Sequence, residues 1–435
     1  MALAPEKLTI RCYGVGFGDC FLVSFHYPDG AASRHMLIDF GSMQRPPNAA
    51  SDRMGKIAAD IAKTVGKRLQ VLVATHRHSD HISGFETSAG GKGTGAVIAK
   101  LKPQLVIQPW TEKLDAPRES KGPGKGLTSA ADDALRLTLD RMSEVAAMSV
   151  REARHLSRQL RAELGFVAQD GVKNLSAVKN LAKWGEQGKA AYVFYGKKIP
   201  GLATLLPGVK IDVLGPPTIS QKSSVQTQNA RNEQEYWHFT RFWRLQGATA
   251  GLVTRSGADL FPKAAVYDAE STPAENRWFI RRLRELRGER LLRIVRAMDN
   301  AMNNTSVILL ITVGKKKFLF PGDAQWENWE HTLGKDLKKL EGVDVYKVGH
   351  HGSLNATPMT LWKNFGKRST KKSAPGRLQT LMSTRTDSMH GHPENKTEVP
   401  RERLVRALQR HTTLRSTQEL EAEGKLVLPV EFDLR

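Results

Sequence analysis

Cysteine and long apolar runs are both scarce in this sequence. Two thiols, Cys12 and Cys20, occur in 435 residues, which excludes a disulfide framework and a zinc site built from thiolates. No stretch reaches the roughly 18 consecutive apolar residues that span a bilayer. Residues Met1–Ile10 also lack the apolar segment of a signal peptide. These absences predict a cytoplasmic protein with no membrane partner.

Acidic residues are few relative to basic ones. The chain has 44 Asp and Glu against 66 Lys and Arg, a net charge of +22. Such an excess attracts polyanions and raises their encounter rate through long-range steering. Nucleic acid is therefore the leading partner class. The alternative is a basic surface that serves only solubility.

The N-terminal apolar pattern predicts alternating strands and helices. Leu8–Tyr13 and Phe21–His26 are β-rich runs joined by a glycine-rich turn, and Met36–Phe40 is a third run. Ser51–Lys67 has the apolar spacing of a helix, opened by a Ser/Asp cap, and Gln70–Ala74 is typical of a buried strand. This order indicates an α/β fold.

The segment directly after that buried strand carries the strongest chemical signal, with the pattern HxHxDH. Because side chains alternate along an extended backbone, we expect His76, His78 and Asp80 to converge on one side. His81 follows where the chain turns into a short helix, so it can help to hold a second ion. A lone histidine is usually a packed residue, but packing does not explain three histidines and an aspartate within six positions. The segment predicts a two-metal site.

This pattern resembles the signature of the metallo-β-lactamase superfamily. Asp39 in Leu-Ile-Asp-Phe-Gly resembles its first motif, Asp323 in Phe-Pro-Gly-Asp-Ala its metal-bridging carboxylate, and His350-His351-Gly its late histidine motif. The resemblance implies an αββα sandwich in which Asp39 braces the metal-binding loop. The metal ligands that it implies are His76, His78, Asp80, His81, Asp323 and His351.

Weaker motifs are similar to one branch of that superfamily, the hydrolase domain of the DNA-uptake protein ComEC and the phosphorylcholine esterases. Val15–Asp19 resembles the opening turn of this branch, Asn303–Val307 its Asn-rich strand entry, and Gly391–Pro393 its closing motif. The match covers roughly residues 8–110 and 205–410 and depends on the order of the motifs. It favours DNA as the substrate.

The sequence departs from many two-zinc members at one metal position. Those proteins carry another histidine before the bridging aspartate, where this chain offers Asn303 or Asn304, weak oxygen donors. We therefore expect two divalent ions, Zn²⁺ and/or Mn²⁺, with Mg²⁺ also acceptable. His238 is an alternative ligand, although its aromatic neighbours favour a packing role.

The expected chemistry is hydrolysis by a metal-activated hydroxide, without a Ser or Cys nucleophile. Asp80 is predicted to be a catalytic residue as well as a metal ligand. His350 and His392 are candidates for the general acid or for binding phosphate. His392 has an alternative role as the residue that precedes Pro393. Ser353 either binds phosphate or caps a turn.

Two segments fall outside the superfamily pattern. We predict a helical insertion at 111–205 and an aromatic, arginine-rich insertion at 218–297. The second includes a helix, Glu275–Arg296, whose arginines suit a phosphate-clamping groove, although a solvated face is the alternative. The nucleic-acid-binding candidates on it are Arg277, Arg281, Arg284 and Arg287.

Lys367–Lys372 is a second basic patch. The two insertions also suit a lid over the metals that a regulatory protein or an activating protease controls.

These observations predict a single domain over residues 1–435, an α/β protein with an αββα sandwich and helical insertions. The expected activity is that of a metal-dependent phosphodiesterase, a nuclease on DNA. The first alternative is a hydrolase of small phosphodiesters, which treats the positive charge as incidental. The second is a catalytically inactive nucleic-acid-binding protein of the same fold.

Overall fold

The computed structural model describes residues 3–47, 49–113, 175–222, 302–353, 357–385 and 399–435. The predictions on His238, on His392 with the Gly391–Pro393 motif, and on the helix Glu275–Arg296 lie outside the described residues. So do most of the two predicted insertions.

Thirteen strands are present in the described part of the chain. In chain order they are β1 Lys7–Tyr13, β2 Cys20–His26, β3 Arg34–Phe40, β4 Val71–Val73, β5 Leu105–Pro109, β6 Ala190–Val193, β7 Val209–Gly215, β8 Ile308–Val313, β9 Lys316–Phe320, β10 Val345–Lys347, β11 Gln379–Met382, β12 Thr413–Ser416 and β13 Val427–Asp433.

The strands form two mixed sheets. The first has the order β13-β1-β2-β3-β4-β5-β6 and the second β12-β11-β10-β9-β8-β7. In the first sheet β3, β4, β5 and β6 run parallel, and in the second β9, β10, β11 and β12 do. The other neighbouring pairs are antiparallel, including the N-terminal hairpin of β1 and β2.

Helices connect these strands. In chain order they are α1 Arg53–Val65, α2 Ser79–Ile82, α3 Thr94–Lys100, α4 Leu175–Gln187, α5 Leu202–Leu205, α6 Trp326–Glu341, α7 Met359–Asn364, α8 Glu402–His411 and α9 Glu419–Glu423, with short 3₁₀ turns at Ser83–Phe85, Trp110–Glu112 and His350–Gly352. Among the described residues, none of these helices combines the length and apolarity needed to cross a membrane.

Three apolar clusters hold the layers together. One joins the two sheets and includes Ile10, Val23, Leu309 and Ile311. A second joins the outer face of the first sheet to α1, α3 and α4. The third joins the outer face of the second sheet to α6, α7 and α8. The fold is therefore α/β, with two facing sheets and helices on their outer sides.

Most N-terminal elements agree with the sequence prediction, including the hairpin, α1 and the fully buried β4. The predicted helix cap differs, because Asp52 precedes α1 without a side-chain cap hydrogen bond. The segment predicted as a helical insertion, 111–205, differs too. Its described part contains β6, which pairs with β5 at the edge of the first sheet, and α4, which packs on that sheet. This part belongs to the layered fold itself.

Candidate metal centre

The candidate site lies where the carboxyl ends of parallel strands from both sheets meet. Parallel strands end at the same edge of a sheet, so the segments that follow them are neighbours. Asp39 lies near the end of β3 and His76 follows β4, whereas Asp323 follows β9 and His351 follows β10. All four side chains are buried. Four of the six candidate ligands therefore come from the first sheet and two, Asp323 and His351, from the second.

A change of backbone direction in the HxHxDH segment brings its side chains together. His78 is the N-cap of α2, with extended φ and ψ, and Asp80 and His81 lie within this short helix. The predicted alternation along an extended strand is therefore wrong at Asp80, because the helix begins at Ser79. Successive helical residues are about 100° apart, which allows Asp80 and His81 to reach the same pocket.

Two groups of potential ligands share Asp80. In the first, one atom from each of Asp80, His81, Asp323 and His351 lies within 4.8 Å of the others, and in the second the same is true of His76, His78 and Asp80. The structure thus brings together all six side chains predicted to bind metal.

Short distances within these groups show how tightly the donors are packed. His351 Nε2 is 2.8 Å from Asp80 Oδ2, and His81 Nε2 is 3.0 Å from Asp323 Oδ2. His76 Nε2 is 3.0 Å from His78 Nδ1.

Asp39 holds the HxHxDH loop through three short hydrogen bonds. Its Oδ1 accepts from the backbone N–H of Thr75 at 2.7 Å, and its Oδ2 accepts from Thr75 Oγ1 at 2.7 Å and from His81 Nδ1 at 2.8 Å. Because Nδ1 of His81 donates to Asp39, Nε2 is left to face Asp323. Such an outer hydrogen bond fixes both the tautomer and the ring orientation of a ligating histidine.

The late histidine pair has two different environments. His351 is fully buried, and its Nδ1 donates to the carbonyl of Ser383 at 3.0 Å, which turns Nε2 toward Asp80. His350 is half-buried, and its backbone N–H donates to Asp323 Oδ1 at 3.0 Å. Its ring Nδ1 forms no hydrogen bond with the described residues.

Unsatisfied polar atoms show that the cluster suits a cation. Among the described residues, the buried carboxylate oxygens Asp19 Oδ1 and Asp80 Oδ1 accept no hydrogen bond. Buried polar atoms are normally paired, so open carboxylate oxygens inside a cluster of histidines suit a bound cation. Imidazole and carboxylate donors suit first-row divalent ions. The buried His/Asp cluster can therefore hold a metal ion.

The electrostatics divide the histidines into two kinds. Burial lowers the pKa of His76 well below its ordinary value and that of His78 to about 4, so both are neutral at neutral pH. Burial would also lower the pKa of His81, but Asp323, Asp80 and Asp39 raise it well above the ordinary value. The pKa of His351 is raised in the same way, against burial, by its bond to Asp80. Without a metal, protons on His81 and His351 balance part of the carboxylate charge.

No protein-family model matches this chain, and a search of curated proteins found no similar sequence.

Sequence reasoning missed two charged residues of the centre, Asp19 and Lys347. Asp19 was considered only as part of a motif, yet its carboxylate lies in one ligand group with Asp39 and His81. Lys347 is 2% exposed and forms ion pairs with Asp19 and Asp323. A lysine inside the apolar run Val-Tyr-Lys-Val was a usable signal, since a buried lysine requires an acidic partner.

The two asparagines predicted as weak ligands are buried beside the site. Asn304 Nδ2 donates to Glu327 Oε2 at 2.9 Å, while neither amide atom of Asn303 forms a hydrogen bond with the described residues. A metal-binding role for either remains a prediction. Ser353 is also buried, with no hydrogen bond from Oγ to the described residues, and its phosphate-binding role remains a prediction too.

The predicted basic patch Lys367–Lys372 precedes β11 and so lies at the strand edge opposite the candidate metal centre. Lys367 Nζ is 2.6 Å from Asp344 Oδ1, and the guanidinium of Arg368 lies 5.0 Å from the ring centre of Trp362. Lys371 and Lys372 are exposed. A role for this patch in nucleic-acid binding remains a prediction.

Proposed function

We propose that this chain is a metal-dependent phosphodiesterase of the metallo-β-lactamase superfamily, and specifically a nuclease that cleaves DNA. The observation that carries the proposal is the convergence of His76, His78, Asp80, His81, Asp323 and His351 at the facing ends of two sheets. The helix-covered pair of sheets is compatible with the sandwich that the sequence resemblance implies.

The donor sets suit two ions that share Asp80. One would be held by His76, His78 and Asp80, and the other by Asp80, His81, Asp323 and His351. Mixed imidazole and carboxylate donors favour Zn²⁺ or Mn²⁺ over Mg²⁺. Ions bound here would supply a nucleophilic hydroxide at neutral pH and would stabilise negative charge on the attacked phosphate.

The chain itself supplies orientation and proton transfer. Asp39 fixes His81, and the Ser383 carbonyl fixes His351, so both rings are set before substrate arrives. His350 lies beside Asp323 with a half-buried ring, and its pKa is lowered by burial. We propose that this imidazole contacts the phosphate or protonates the leaving oxygen.

The substrate assignment comes from charge. A net charge of +22 favours a polyanion over a small phosphodiester, because steering by many charges raises the local concentration of nucleic acid most. Sequence specificity does not follow from such a field, since phosphate contacts carry no base information.

The experiment is a substrate panel with matched metals. Protein stripped by a chelator is reloaded with Mn²⁺, Zn²⁺ or Mg²⁺, its metal content is measured, and it is incubated with plasmid, single-stranded DNA, RNA and bis(p-nitrophenyl) phosphate. Asp80→Asn is the inactive variant, and Asp344→Asn, a carboxylate near the opposite strand edge, is the matched control.

We expect DNA cleavage by the Mn²⁺ or Zn²⁺ form and by the Asp344 control. Turnover of the small ester alone would replace the nuclease with a small-phosphodiester hydrolase. Nucleic-acid binding without turnover by any metal-loaded form would support the inactive binding protein, and absence of bound metal would overturn the proposal altogether.

A further inference from the structure

A lysine is buried inside the candidate centre. Lys347 ends β10, and its side chain is 2% exposed. Its ammonium donates to the carbonyl of Gly322 at 3.1 Å, lies 3.4 Å from Asp323 Oδ1 and makes a close ion pair with Asp19 Oδ2. A buried ammonium is strongly unfavourable unless it is paired and hydrogen-bonded, so this placement needs a specific reason.

The charge of the centre supplies that reason. Four aspartates, Asp19, Asp39, Asp80 and Asp323, are each at most 5% exposed and belong to the same linked ligand groups. Lys347 is the fixed cation among the described residues of these groups and their ion pairs, as the histidines can lose their protons. The two carboxylates in contact with the ammonium stabilise its charged form.

The contacts of Lys347 also determine which carboxylate oxygens remain open. On Asp323, Oδ1 faces Lys347 and accepts the backbone N–H of His350, while Oδ2 faces His81. On Asp19, Oδ2 is taken by Lys347 and Oδ1 forms no hydrogen bond with the described residues. One oxygen of each carboxylate is therefore occupied within the chain.

We propose that Lys347 is a resident cation of the metal centre and a positioning residue for Asp323. Its ammonium compensates the charge of Asp19, and it holds Asp323 through Oδ1, so that Oδ2 is the oxygen of this carboxylate that would be available to a metal ion. The inference rests on the proposed metal-dependent function. Four carboxylates and one ammonium leave a charge of minus three, which two divalent ions would change to plus one, opposite in sign to a phosphodiester.

The decisive test is a pair of charge-matched double variants. Lys347→Met with Asp19→Asn removes one positive and one negative charge, so the net charge of the centre is unchanged. The control, Lys367→Met with Asp344→Asn, removes an ion pair of 2.6 Å near the opposite strand edge. The affinity for Mn²⁺ is measured by calorimetry on metal-stripped protein, which does not require turnover.

We expect the Lys347/Asp19 double variant to bind Mn²⁺ at least tenfold more weakly than the unmodified protein, as loss of an outer partner of a ligand does elsewhere. The control should bind as the unmodified protein does. Equal affinity in both double variants would overturn the positioning role. If the unmodified protein itself binds no Mn²⁺, the proposed function fails instead, so the two failures are distinguishable.

A second measurement tests the resident charge. Without metal, Lys347→Met removes the cation that is paired with Asp19, and we expect its Tm to fall by about 10 °C. The double variant with Asp19→Asn should recover more than half of that loss, because the uncompensated carboxylate is removed as well. An equal loss of Tm in the single and the double variant would overturn the proposal.

If Lys347→Met does not fold, Asp19→Asn alone provides the test. The neutral amide leaves the ammonium less compensated beside the ions, so Mn²⁺ affinity should fall about tenfold. An unchanged affinity in this variant would contradict the proposal.

Discussion

At the scale of single residues, the second nitrogen of each histidine decides what the first one can do. His81 donates a hydrogen bond from Nδ1 to Asp39, and His351 donates one from Nδ1 to the carbonyl of Ser383. In both rings Nε2 therefore faces the aspartates of the site. His76 and His78 are neutral at neutral pH because burial lowers their pKa. The rings of His81 and His351 are therefore oriented, and those of His76 and His78 are uncharged, which are two properties that suit a metal ligand.

The first residue-scale prediction concerns the shared carboxylate and its neighbour. Asp80→Asn or His81→Ala should lower the hydrolytic rate by at least a thousandfold, because each removes a donor around which the centre is built. The fold should persist, since both residues lie in the short helix α2 and outside the three apolar clusters. Turnover and circular dichroism are measured together, and retained turnover would refute the site.

The second residue-scale prediction concerns how the stability of the metal-free protein depends on pH. The pKa values of His81 and His351 are raised above 6.5 in the folded state, so their stabilising effect is complete below pH 6.5 and is lost as pH rises through the raised values. We expect the free energy of unfolding in chelator, and with it the Tm, to fall as pH rises from 6.5 to about 8.5; the free energy should fall by at most about 1.4 kcal/mol per histidine per pH unit.

Saturating Mn²⁺ is the control for this pH dependence. Metal ligation requires neutral imidazoles, so metal-loaded protein should gain stability over the same pH range. A metal-free Tm that is flat or rising from pH 6.5 to about 8.5 would contradict the assignment of charge to these two histidines.

At the scale of elements, the centre depends on how closely two loops approach. The loop after β3 packs directly on α2, and a Cβ at Gly41 would lie 2.4 Å from Asp80 C and 2.4 Å from His81 N. On the neighbouring turn, Gly18 has φ of +158°, and a Cβ added there would lie 2.8 Å from the carbonyl oxygen of Asp80. Only glycine allows backbone to pack this tightly against the helix that carries the ligands.

Gly41→Ala should therefore displace Asp80 and His81. We expect Mn²⁺ affinity to fall at least tenfold, because the added methyl group can be accommodated only by moving α2. Gly55→Ala in α1 is the matched control: nothing lies within 4 Å of its Cβ position, and alanine stabilises a helix. Calorimetry on both variants checks the prediction, which would be wrong if they bound Mn²⁺ equally.

A buried ion pair steadies the other side of the same loop. Arg77 Nε donates to both oxygens of Glu112, at 2.9 and 3.1 Å, between a residue of the HxHxDH segment and the 3₁₀ turn after β5. Both side chains are at most 9% exposed. The ligand loop is thus held from β3 by Asp39 and from β5 by Glu112.

At the scale of the whole molecule, both sheets contribute residues to the candidate centre. Asp39 and the HxHxDH segment come from the first sheet, and Asp323 and His351 from the second. The apolar cluster between the sheets therefore sets the distance between the two halves of the centre. Any change that shifts one sheet against the other should affect the metal centre before it affects either sheet.

The charge of the whole molecule gives a prediction for binding. With a net charge of +22, the chain should bind DNA largely through phosphates, and each neutralised phosphate releases counterions. We expect affinity for a duplex to fall at least tenfold between 50 and 200 mM salt; about six phosphate contacts would give roughly a thousandfold. Titrations use Asp80→Asn, so that cleavage does not interfere, and a flat salt response would argue against a polyanion substrate.

The sequence alone determined the local parts of this description. β-rich and continuous apolar runs predicted β1 to β4, and helical apolar spacing predicted α1, because the burial of each element is encoded in its own residues. The HxHxDH spacing predicted the ligand cluster for a similar reason, since its members are within six positions of one another.

Tertiary structure alone decided the long-range relations. The pairing of β6 with β5, the start of α2 at Ser79, and the meeting of Lys347 with Asp19 depend on contacts that no local pattern encodes. Lys347 and Asp19 are 328 positions apart in the chain, and each alone has the appearance of an ordinary charged residue. Their pairing is set by the packing of two sheets, because the burial that makes an ion pair necessary exists only after the sheets have met.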